Sequence, residues 1–175
     1  MKNQWSEAEA AVCGDDPLAM RVYSSRLIGR EAALVLHGGG NTSVKAPFTD
    51  IFGEVSEALF VKGSGWDLAT IEGPGFAPVR LEVLKKMAQL SALSDPDMVS
   101  AQRAALLDAG APNPSVEAIL HAIIPFRYVD HSHADAVVTV SNTPEGETAI
   151  RSIYGDRVLV VPYVMPGFDL AKAIW

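Results

Sequence analysis

Apolar positions change their spacing along the chain, and each change marks an element. Leu18, Met20, Val22 and Leu27 recur near the helical period after Asp16-Pro17. A capping aspartate with proline at the first helical position predicts a helix start there, ending near Gly29. Residues 33–36 form a short apolar run that meets Gly38-Gly39-Gly40, which predicts a strand stopping at a glycine loop. Residues 43–45 and 59–62 predict further strands, the second stopping at Gly63-Ser64-Gly65. Residues 81–93 and 98–107 have helical periodicity. A loop over 110–114 leads into a predicted helix over 115–124, with Asn113 as N-cap and Pro114 at its first position. Residues 128–140 read as strand, 145–154 as helix, 157–161 as strand, and 168–175 as the start of another helix.

Such irregular alternation predicts an α/β layered domain with helices flanking one sheet. At 175 residues the chain makes one domain, residues 1–175, large enough for a real core. The apolar pattern is still running at Trp175 with no C-cap, so the domain is expected to be incomplete at its C-terminus.

Composition narrows the classes. With 49% hydrophobic and 20% charged residues the chain reads as a globule, and no apolar run is long enough for a membrane span. The net charge of −7 argues against a nucleic-acid partner, which needs a basic footprint, but leaves room for a small anion in a local pocket. One cysteine, Cys13, excludes an internal disulfide framework, and the polar N-terminus lacks the pattern of a secretory signal. Cytoplasmic location is the expectation.

Four clusters could carry chemistry. In His37-Gly38-Gly39-Gly40-Asn41-Thr42-Ser43, consecutive glycines let backbone N–H groups approach an anion, and Asn41 and Ser43 add donors. The spacing is not that of a dinucleotide loop, and a glycine triplet alone is more often a tight turn. Lys62-Gly63-Ser64-Gly65 brings a cation, a hydroxyl and two permissive glycines to a strand end, which suits phosphate or, again, a plain turn. In His131-Ser132-His133, strand alternation places the two imidazoles on one face, where they could chelate zinc or stand as polar residues at a strand end. Asp130 and Asp135 could orient those rings or be surface charge. Glu117 and His121, one helical turn apart, share a face, and Glu117 could move protons or simply be solvated.

The order of these motifs resembles the class II aldolase/adducin family. Gly40-Asn41-Thr42-Ser43 comes first, then Lys62-Gly63-Ser64-Gly65, then Ser115 and Glu117 as Ser-x-Glu, then His131 and His133 as His-x-His. The resemblance runs from the first helix to Gly167. Residues 37–45, 61–68 and 114–142 are most similar to one branch, the bifunctional rhamnulose-1-phosphate aldolase/short-chain dehydrogenase proteins. In that branch an aldolase domain precedes a dehydrogenase domain, and no dehydrogenase domain lies within these residues.

The resemblance implies a three-layer α/β/α fold and a four-fold homo-oligomer with active sites between subunits. It implies zinc-dependent cleavage of a ketose 1-phosphate to dihydroxyacetone phosphate and an aldehyde, through a stabilised enediolate. Asn41, Ser64 and Gly65 would hold the phosphate, with Ser115 as a further donor. Glu117 would be the general acid/base, and His131 and His133 zinc ligands. The family's third zinc histidine lies on a strand well past the helix near Phe168, and neither His37 nor His121 matches it, so the Zn2+ site is expected to lack a ligand within these residues. Two other readings share the resemblance: a sugar-phosphate 4-epimerase, and a non-catalytic interaction module like the adducin heads.

Overall fold

The site is built on an antiparallel hairpin. Strand β1, Asn41–Thr49, pairs with β2, Val55–Lys62, in the register Ser43 with Val61 and Thr49 with Val55. The turn between them is tied by Asp50, whose Oδ1 accepts from the N–H groups of Phe52 and Glu54 at 2.8 and 2.9 Å. Strand β3, Phe76–Arg80, adds to β2, and β4, Tyr128–His131, adds to the other edge of β1. The computed structural model, which describes residues 2–175, therefore holds a four-stranded sheet in the order β3-β2-β1-β4.

Helices cover both faces of this sheet. Helix α1, Glu7–Val12, leads to α2, Pro17–Gly29, which lies on one face. Its start is as the sequence predicts, with Asp16 accepting from the Leu18 N–H at 2.8 Å and Pro17 in the first turn. Val35, Leu68, Ile71 and Phe76 are buried on that side, with Leu18, Val22 and Ile28 packed against them. On the opposite face Leu59, Val61, Ala77 and Val79 meet α3 (Leu81–Ala88), α4 (Asp95–Ala104), α5 (Ala118–Ile123) and α8 (Phe168–Ile174) through Leu84, Met98, Ile119 and Phe168. Period-two alternation along β2 assigns Leu59 and Val61 to one layer and Phe60 to the other. Each such fully buried aliphatic side chain is worth roughly 1.5–3 kcal/mol. The α/β layering expected from the sequence is present.

Several local expectations are corrected. Residues 33–36 are turn and irregular chain rather than a strand, because the N–H groups of Leu34 and Val35 fold back onto the Glu31 carbonyl. The strand expected over 128–140 stops at His131, whose pairing partner Asn41 is the first residue of β1. His133 therefore lies just past the strand, and its N–H and that of Asp135 donate to the Leu34 and Ala33 carbonyls. Helix α6, Asp135–Ser141, follows in spite of its valines. Helix α5 begins at Ala118, not 115, since residues 113–115 are engaged elsewhere: Ser64 N–H donates to the Asn113 carbonyl and Ser115 N–H to the Lys62 carbonyl. Asn113 is thus no N-cap. Of residues 157–161, Arg157 ends a short 3-10 turn (Gly155–Arg157) after α7 (Gly146–Tyr154) and the rest are irregular chain, because among the described residues no strand pairs with them. Strand β3 and helix α1 were not read from the sequence. No described helix is long and apolar enough to cross a membrane.

Candidate functional site

Strand register assembles the site. Asn41 and His131 are direct cross-strand partners, so their side chains emerge side by side on one face. Glu117, at the N-terminal boundary of α5, comes up against both. Its Oε2 lies 2.8 Å from His131 Nδ1 and accepts a hydrogen bond from Asn41 Nδ2. His133 follows two residues later, its ring 4.8 Å from that of His131 between centroids.

The two glycine loops converge on this cluster. Gly40 adopts φ +64°, and a Cβ there would stand 2.7 Å from the His131 carbonyl oxygen. Only glycine accepts both the dihedral and the approach. Gly63 bridges to Pro114, and a Cβ on it would meet the Pro112 ring at 2.3 Å. That close pairing sets Ser115 opposite Lys62 and Ser64 opposite Asn113. One cleft of about 400 Å³ is lined by Gly38 to Asn41, Lys62 to Gly65, Ser115 to Glu117, His131 and His133. All seven residues singled out from the sequence, Asn41, Ser64, Gly65, Ser115, Glu117, His131 and His133, line it.

A slightly larger depression of about 480 Å³ lies between the N-terminal segment and α2. Its lining is mainly apolar, and its buried cation, Arg21, is already paired with Asp130 at 2.7 Å. It lacks convergent groups free for chemistry.

Electrostatics favour an ionised Glu117. Burial by itself pushes its carboxyl up, but the hydrogen bonds from His131 and Asn41, together with the nearby imidazoles, outweigh burial and hold it below the usual value. An ionised carboxylate only accepts, which makes His131 Nδ1 the donor. The 3.1 Å contact between Asn41 Nδ2 and His131 Nδ1 then joins two donors and is packing rather than a bond. With Nδ1–H committed to Glu117, the lone pair of His131 Nε2 is left for a ligand. The adjacent imidazole of His133 is a second nitrogen donor. This donor chemistry fits a zinc ion as part of a ligand set, although zinc sites use at least three protein ligands. Among the described residues no three histidine, cysteine, aspartate or glutamate side chains are grouped to hold a metal.

Two further residues enter the site: Lys62, the cation of the second glycine loop read from the sequence, and His121, to which the sequence assigns no role. Lys62 is 6% exposed, donates to the Gly38 carbonyl at 3.2 Å, and has no carboxylate within ion-pair distance among the described residues. Burial pushes its ammonium down, with Asp67 opposing from a distance. A buried cation lacking a counter-ion and facing two glycine loops is suited to an anion. His121 is fully buried behind Glu117, its Nδ1 2.8 Å from Ser43 Oγ.

The fold is shared with known proteins. Residues 21–174 match the family model described as Class II Aldolase and Adducin N-terminal domain. An uncharacterized oxidoreductase of Bacillus subtilis (strain 168), YuxG, is 39% identical over 153 residues, covering 87% of this chain. The chain spans 22% of the length of that relative. A solved structure, the N-terminal class II aldolase domain of a conserved protein from Thermoplasma acidophilum, is 41% identical with a TM-score of 0.90, over 99% of this chain and 79% of that one.

Proposed function

Because this chain belongs to the class II aldolase and adducin N-terminal domain family, we propose that it is the lyase domain of a metal-dependent aldolase. Its substrate in this reading is a ketose 1-phosphate of the rhamnulose 1-phosphate type, cleaved to dihydroxyacetone phosphate and an aldehyde. The observation that carries the reading is the convergence of an ionised Glu117, two imidazoles and two glycine loops with Lys62 on one cleft.

The roles follow from the chemistry of each group. The phosphate takes the end of the cleft formed by Ser64, Gly65 and Ser115, where hydroxyls and backbone N–H groups are donors and Lys62 supplies charge. His131 and His133 would hold a divalent cation, zinc by their ligand type. When bound it supplies Lewis-acid stabilisation of the negative charge that develops on the ketose oxygens. Glu117 accepts the proton of the substrate hydroxyl as the carbon–carbon bond breaks and returns it to the carbon end of the three-carbon fragment. Asn41 bonds Glu117 through its amide N–H and so orients the carboxylate, and its own Oδ1 is buried with no hydrogen-bond partner among the described residues. Assembly into a homo-oligomer belongs to the same proposal, and sedimentation of the purified protein decides it.

The test is release of dihydroxyacetone phosphate from rhamnulose 1-phosphate by the zinc-loaded protein. Glu117→Gln should lower turnover by roughly 10²–10⁴ with zinc content retained. Wild-type turnover in that variant refutes the role of Glu117. Interconversion of pentulose phosphates without a released triose phosphate would move the assignment to an epimerase.

A further inference from the structure

Asn41, Ser43 and Lys45 alternate onto one face of β1, and each is bonded to α5 or to the residues at its ends. Asn41 Nδ2 donates to the Glu117 carboxylate. Ser43 Oγ and His121 Nδ1 share a hydrogen bond of 2.8 Å. Lys45 Nζ donates to the carbonyls of His121, Ile124 and Phe126 at 2.9, 2.6 and 2.7 Å, which satisfies the open C-terminal end of the helix. The two repeats match: two residues of strand advance about 6.8 Å, and four residues of helix about 6 Å. The result is a polar ladder whose rungs fix how far α5 can slide along β1.

The apolar contacts of α5 cannot do this. Ala118, Ile119 and Ala122 pack against the core without direction, and small apolar side chains tolerate a shift that a hydrogen bond does not. Glu117 itself precedes the regular helix, with φ −90° and ψ 9°, and its side chain makes no cap bond. Its position is inherited from the helix behind it. The middle rung is the driest: Ser43 and His121 are 0% and 1% exposed, so no water can replace either partner.

We propose that His121, locked to Ser43, is a positioning residue that sets the register of α5 and so holds the Glu117 carboxylate against Asn41 and His131. This rests on the reading of Glu117 as the proton carrier. A phenylalanine at 121 would fill the space but leave the Ser43 hydroxyl buried and unpaired, and would release the register. An asparagine at 121 presents an amide near the position of Nδ1 and can remake the bond.

The experiment follows the Asn41 side-chain amide by ¹⁵N–¹H NMR in the full chain, with steady-state cleavage in parallel. In the wild type that amide donates to a carboxylate and is shifted from the values of a solvated asparagine. His121→Phe and Ser43→Ala should each move it toward those values and lower kcat about 10- to 100-fold, the cost of a small misplacement of a reacting group, with KM little changed. His121→Asn should restore both readouts. In a Glu117→Gln background, His121→Phe should add no further loss. An unmoved Asn41 amide in His121→Phe, or an equal loss of turnover with and without Glu117, overturns the proposal and leaves His121 as core packing. Should His121→Phe not fold, Ser43→Ala carries the same test from the strand side. Wild-type turnover in Glu117→Gln alone would instead remove the proposed function, while the amide shift would still report the ladder.

Discussion

His121 sits between β1 and α5, where burial pushes it down to about 4 from an ordinary value of 6.5, with the Glu117 charge opposing and His131, Lys45 and Arg21 adding to the fall. At neutral pH the ring is uncharged in both folded and unfolded chains and costs nothing. As the pH falls below 6.5 the unfolded chain takes up a proton that the folded chain refuses until about pH 4. Stability from this site is therefore complete above 6.5 and is lost progressively down to about 4. At pH 5 the linkage amounts to about 2 kcal/mol, a sizeable part of the roughly 5–15 kcal/mol of a typical domain. Glu117 acts in a lower window. Its folded value is below the usual 4.5, so its contribution is retained above that pH and lost beneath it. Urea unfolding followed by circular dichroism at pH 7 and pH 5, on wild type and His121→Asn, isolates the effect. The wild-type midpoint should fall by about 1 M more than that of the variant, given about 2 kcal/mol per molar urea. An equal fall in the two proteins would show that His121 takes up its proton as readily folded as unfolded, and the burial argument would fail.

Gly40→Ala should destabilise by about 1–3 kcal/mol, because a side chain there meets both a positive φ and the His131 carbonyl; an unchanged thermal midpoint contradicts this. Arg21, 1% exposed, donates to Ser24, Ser25 and the Ser43 carbonyl and pairs with Asp130. Arg21→Met should cost about 1–3 kcal/mol through the lost hydrogen bonds to Ser24, Ser25 and the Ser43 carbonyl, and a double-mutant cycle with Asp130→Asn should show little coupling, since Asp130 is half exposed. Lys62→Met should weaken binding of inorganic phosphate about 10- to 100-fold, as expected for one lost charged hydrogen bond; calorimetric titration checks it, and an unaltered affinity places the anion elsewhere.

Elements whose signals are local were legible in the chain. Asp16-Pro17 starts α2 because cap and proline act within one turn. The ends of β1 and β2 are marked by glycine loops, and the order of Asn41, Ser64, Glu117 and His131 points to their chemistry without any coordinates. Where the expectations failed, the deciding partner is distant. The apolar run at 33–36 could not become a strand, because its N–H groups turn back to Glu31, and it serves instead as acceptor for His133 and Asp135. Residues 113–115 look like a helix start until the Lys62 and Ser64 backbones claim them. The valines of α6 favour a strand, but no neighbouring strand takes them up among the described residues.

The sequence by itself determined which groups this domain has to work with. The composition of a motif is local information: glycines that permit close approach, imidazoles two residues apart, a carboxylate one turn from a histidine. Only the tertiary structure decided how those groups meet. The pairing of Asn41 with His131, the seating of Glu117 between them, the dry Ser43–His121 bond and the burial of Lys62 all depend on strand register and on how helix α5 packs on β1, contacts between residues up to 90 positions apart. No spacing rule reaches that far, because the energy that fixes such a register comes from burying both surfaces at once.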